Sequence, residues 1–192
     1  MIYTVRGPIE KEQMGRTLSH EHFDWISHEE IASKMYFDKE YDEDYNQIVA
    51  ERVLPVLREL KAAGCRTIVE TSPPIAGQNV KLLYDLSKKT GFHIIPCTGI
   101  NMTKYAHRIF PEGFTEQLAK KWIQDFEEGL DVIDGVCIKP GHIKLLLDRG
   151  GVNEVDTAML KAAAIACKAT GMPIHCHVLE ATSMPAVIRI LD

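Results

Sequence analysis

His20 and His22 stand one residue apart in RTLSHEHF, at the end of a β-like run, Thr17–Phe23. In a strand, residues i and i+2 project to the same side. The two imidazoles therefore project together, at a spacing that lets them chelate one cation; a pair of core histidines would give the same pattern. The run PIHCHV repeats the device with His175 and His177. His177, at the C-terminal end of its run, is the better ligand candidate. His175 lies deeper and is expected to be a core residue or a support for a ligand. Cys176, of opposite parity, should face the helices.

Lys144 lies in IKPGHIKLLL and shares parity with Pro140 and His142. A lone ammonium buried among Ile and Leu costs on the order of several kcal/mol. One escape is for the side chain to snorkel to the rim. The other is chemical, because a desolvated lysine gives up its proton readily. The neutral amine can then take up carbon dioxide and become an anionic carbamate able to bridge two cations. Glu70 ends another β-like run and is a further candidate to face the site, whereas Glu21 has opposite parity to the two histidines and points outward. The acidic stretch from Asp38 to Asp44 is most simply a solvated loop, with a second cation site as the alternative.

These side chains sit at the ends of short β-like runs that alternate with helical patterns. The β-like runs are Thr17–Phe23, Cys65–Thr71, Phe92–Thr98, a strand within Val136–Leu146, and Pro173–Val178. Helical patterns cover about 46–63, 79–90, 115–129, 154–170 and 183–191, several of them closed by a glycine. Strands spaced by helices imply parallel pairing, either in a barrel-type sheet or in an open doubly wound one. No G-x-G-x-x-G or G-x-x-x-x-G-K-[ST] supports the nucleotide-binding form. In a barrel, active sites form at the C-terminal strand ends, where His20, His22 and His177 fall.

Composition narrows the function classes. With 192 residues, 45% hydrophobic and 26% charged, the chain reads as one globular domain. No apolar run approaches the ~20 residues of a membrane span, and the first residues lack the apolar segment of a secretory signal. A formal net charge of -5 argues against a nucleic-acid partner. Five cysteines, an odd number without a C-x-x-C, fit a reducing cytoplasm better than a disulfide framework.

The segments TVRGPIEKEQMGRTLSHEHF, TIVETS, GQNV, HIIPCTG, IKPGHIK and LKAAAIACKATGMPIHCH resemble, in order, the phosphotriesterase-like family of the amidohydrolase superfamily. The resemblance implies a (β/α)8 TIM-type barrel, here truncated after the fifth β/α unit, with a binuclear metal centre. Carried over by position, His20 and His22 would bind the more buried metal, Lys144 as a carboxylated lysine would bridge both, and His177 would bind the more exposed one. Zinc is the expected cation, with manganese, iron or cobalt as alternatives. A hydroxide held between the metals would cleave a lactone, a carboxylic ester or a phosphoester. The family also uses a histidine from the sixth strand and an aspartate from the eighth. The chain stops at Asp192, short of a barrel of ~250 residues, so it is expected to be catalytically incomplete by itself. The alternative is a non-catalytic fragment that binds metal weakly or needs a partner chain. A homodimer is a further expectation. Lactonase-like relatives carry an aromatic pair after the third-strand glycine; Gly99 is instead followed by Ile100, Asn101 and Met102, which leaves the substrate open. Lys104, His107 and Arg108 are candidates for holding an anionic group, with a solvated loop as the alternative.

Overall fold

The computed structural model describes residues 1–24, 34, 38–100 and 114–192. It opens on an antiparallel hairpin, β1 (Ile2–Thr4) with β2 (Gly7–Ile9), ahead of the first expected strand. The parallel framework begins with β3 (Arg16–Glu21), helix α1 (Glu43–Ala62), β4 (Cys65–Glu70) and α2 (Val80–Thr90). Asp42 caps α1 by accepting from the Tyr45 N–H at 3.0 Å. The end of the acidic stretch is therefore a helix start rather than a loop, because carboxylates in a first turn favour the exposed N–H groups there.

The third expected strand divides into β5 (His93–Ile95) and β6 (Cys97–Ile100). Pro96 stands between them and has no N–H to give a ladder. Helix α3 (Phe114–Glu128) follows. The next expectation needs correction as well. The stretch 136–146 holds two different strands: β8 (Val136–Ile138) folds back on β7 (Asp131–Ile133) in a hairpin, and only β9 (His142–Leu147) joins the parallel framework. The turn residues Asp134 and Gly135 both have positive φ, 50° and 77°, the backbone that an Asp-Gly hairpin turn requires. Helix α4 (Glu154–Thr170), β10 (Ile174–Val178) and α5 (Met184–Leu191) complete the described chain.

The parallel strands run in the order β3-β4-β5 and β6-β9-β10, two three-stranded sheets linked through Pro96. Mixed α/β structure of this kind, with five helices among the described residues, is consistent with part of a (β/α) barrel. In β9 the alternation is clean. Ile143, Leu145 and Leu147 are fully buried in the cluster that includes Trp122 of α3 and Met159 and Leu160 of α4, so His142 and Lys144 project from the opposite face. A second cluster joins Ile68 and Ile94 to Leu83 and Leu86 of α2 and Leu57 of α1.

Gly99 pairs with Lys144 across β6 and β9 and has φ 125°. A Cβ built there would sit 2.0 Å from the Lys144 carbonyl oxygen, so only glycine lets these strands meet. No described helix is long and apolar enough to cross a membrane, and all five cysteines are free.

Candidate metal centre

β3 delivers His20 and, one residue past its end, His22; β9 delivers Lys144; β10 delivers His175 and His177. These side chains meet. The ring of His20 lies with its centroid 5.4 Å from that of His22, 5.7 Å from His177 and 4.8 Å from His175. Two imidazoles held by one tetrahedral cation have centroids about 5 Å apart, given metal–nitrogen bonds near 2 Å, so the spacing suits a shared ion. The register of β3 against β4 shifts between Leu18 and Glu21. Glu21 is exposed, and so are His22 and His177.

Lys144 is 2% exposed, and its Nζ lies 3.1 Å from His20 Nε2. Among the described residues no carboxylate pairs with it. Burial pulls its pKa below that of an ordinary lysine, partly countered by the nearby Cys97, Cys176 and Glu70. The lysine has therefore not snorkelled to a rim. It is a desolvated amine beside an imidazole, the state that favours a neutral nitrogen.

The histidines around it are pushed the same way. Burial, then Lys144 and His177, lowers His20. Burial and the neighbouring His20 bring His22 to about 4, and burial and Lys144 bring His175 to about 4. His142, beneath Lys144 on the same face, falls to about 3, mainly through burial. Both of its ring nitrogens are buried without hydrogen-bond partners among the described residues. Its ring lies 5.7 Å from that of His175, so the deeper His175 bridges between His142 and His20.

As donors these groups fit a divalent transition-metal ion: neutral imidazoles with lone pairs, and a buried amine beside them. Among the described residues, however, no three His, Cys, Asp or Glu side chains converge on a single point that would hold a metal. The fit lies in donor type and spacing, not in a finished coordination shell.

Glu70 does not join the histidines directly. It is 2% exposed, its Oε1 accepts from the Ser72 N–H at 3.0 Å, and its Oε2 accepts from Gln78 Nε2 at 3.4 Å. Burial raises its pKa to about 7 against the pull of those hydrogen bonds. Sequence reasoning passed over Ser72, whose Oγ lies 2.9 Å from His22 Nδ1. The available signal was position, because Ser72 follows two residues after Glu70, just beyond the strand end. Cys176 packs partly buried against the helix-side cluster, as its parity indicated. Lys104, His107 and Arg108 lie outside the described residues.

The family model described as the phosphotriesterase family matches residues 1–192. The chain is 30% identical over 172 residues to a protein named aryldialkylphosphatase from Saccharolobus solfataricus, covering 88% of this chain and 51% of the relative. It is 32% identical over 183 residues to a phosphotriesterase homology protein from Mycobacterium tuberculosis, covering 92% and 54%. It is also 28% identical over 214 aligned positions to an N-acetyltaurine hydrolase from Xenopus tropicalis, covering 100% and 60%. The chain thus spans little more than half the length of these relatives. With a family match across all 192 residues, the chain belongs to the phosphotriesterase family.

Proposed function

We propose that this chain carries the nitrogen-donor part of a hydrolase centre that works with two divalent cations, zinc being the best match to its ligands, on an ester-like bond. His20 and His22 would hold one cation, His177 the other, and Lys144 both. The observation that carries this is the buried Lys144, within 3.1 Å of His20 Nε2 and without a carboxylate within ion-pair distance among the described residues. A lysine kept there as an ammonium is costly; as a ligand it has a purpose.

When bound, the two cations would act as a Lewis acid on the scissile oxygen and bring the pKa of water near neutrality. The chain's own residues prepare for this. Lys144 Nζ, when neutral, would add to the carbon of carbon dioxide and release one proton, giving a carbamate whose single negative charge is shared by two oxygens. His20 and His22 stay neutral because burial disfavours their charged forms, which keeps lone pairs available for a cation.

The substrate class follows from the chemistry such a centre supplies: a lactone, a carboxylic ester or a phosphoester. Relatives named aryldialkylphosphatase and N-acetyltaurine hydrolase add phosphotriesters and short acyl amides to the panel worth assaying. Protein loaded with zinc or cobalt should hold the cation through His20, His22, His177 and Lys144, and hydrolysis, where the remaining ligands are supplied, should fall within these classes. Lys144→Ala should abolish any such turnover, and added formate or acetate should restore part of it. Turnover indifferent to Lys144→Ala would overturn the proposal, as would failure of the wild-type chain to take up either cation.

A further inference from the structure

We infer that His175 is a further ligand of the more buried cation, beside His20 and Lys144. This deepens the metal-centre proposal and rests on it. His175 of β10 pairs in register with Lys144 of β9, and strands paired in this way lie about 4.8 Å apart. Lys144 Nζ in turn lies 3.1 Å from His20 Nε2. Nitrogen-bearing side chains from three strands therefore share one layer. His177 stands two residues further along β10, a rise of about 6.6 Å, and belongs to the layer above.

The ring distances point the same way. Two imidazoles on one tetrahedral cation have centroids about 5 Å apart. His175 stands 4.8 Å from His20, nearer that value than His22 at 5.4 Å or His177 at 5.7 Å. A histidine that only supports a ligand does so through a hydrogen bond to it. Among the described residues His175 makes no hydrogen bond to His20, to Lys144 or to any other group. Nor is it a sealed core histidine. His142, one layer below, has both ring nitrogens shut away from solvent, whereas His175 is only partly buried and its nitrogens keep some exposure. A neutral imidazole has one lone pair to give, and on His175 no described residue takes it up. The 87° angle between the rings of His175 and His20 also suits edge-to-face packing; the two roles differ in whether a cation touches a His175 nitrogen.

Long-range proton–nitrogen NMR of the histidine rings tests this on the full chain, recorded without metal and with zinc added stepwise. One His175 ring nitrogen should shift upfield together with a nitrogen of His20, whereas the His142 signals should stay in place. His175→Phe identifies the His175 signals by their loss. It keeps a ring against His20 but has no lone pair, and should bind zinc at least about 10-fold more weakly than the wild type. His175 nitrogens that stay in place while those of His20 shift would overturn the assignment, and so would unchanged zinc affinity in His175→Phe. If zinc shifts no histidine at all, the metal centre itself is contradicted, and the role of His175 falls with it.

Discussion

Lys144 Nζ and His20 Nε2 lie 3.1 Å apart although 124 residues separate them in the chain. Neither β3 nor β9 makes this pair alone. β4 pairs with β3 and Gly99 of β6 pairs with Lys144, so the approach depends on the parallel framework between them. Burial, with no carboxylate in ion-pair contact among the described residues, makes the lysine a cost to the fold and a resource for chemistry.

That cost is measurable. Lys144→Met replaces the amine with an apolar chain of similar length. In metal-free protein it should raise stability by about 1–2 kcal/mol, because a buried polar group without adequate partners is removed. The same variant should lose cation binding. Urea unfolding in the presence of a chelator checks the first point; a loss of more than about 1 kcal/mol would show that the amine is well satisfied in the fold.

Gly99 offers a geometric test. Its φ of 125° and the 2.0 Å approach of a built Cβ to the Lys144 carbonyl leave no room for a side chain. Gly99→Ala should cost on the order of 3 kcal/mol or more, since β6 and β9 must separate. Denaturant unfolding measures this, and a change below about 1 kcal/mol would mean that the strands do not meet so closely.

Glu70 predicts a pH dependence. Its folded pKa, about 7, lies above its ordinary value of 4.5, so the folded state holds a proton that the unfolded state has released between these values. Its contribution to stability is complete below pH 4.5 and is lost as pH rises through 7. The histidines with lowered pKa values act oppositely, and their contribution is still growing just above their unfolded value of 6.5, but it is common to wild type and Glu70→Gln. Between pH 6.5 and 8 the wild type should therefore lose stability relative to Glu70→Gln, by at most roughly 1 kcal/mol over that interval. Parallel curves for the two proteins would contradict a raised Glu70.

Much of this was legible from periodicity. The period-two rule assigned Lys144 and His142 to one face of β9, and the helix-side burial of Ile143, Leu145 and Leu147 bears it out. The Asp-Gly turn at 134–135 was readable too, yet the apolar run from Val136 to Leu146 masked the boundary between a hairpin strand and a framework strand. The break at Pro96 followed from a missing N–H. The partnership of Ser72 with His22 spans 50 residues and has no local signature, because it depends on how β4 ends beside β3.

The most direct test of the metal centre is cobalt titration of the wild-type chain followed by d–d absorption, repeated with His20→Ala and Lys144→Ala. A shared cation site predicts a saturable band in the wild type that is lost or strongly weakened in both variants. No band in the wild type, or a band that survives both substitutions, would contradict it.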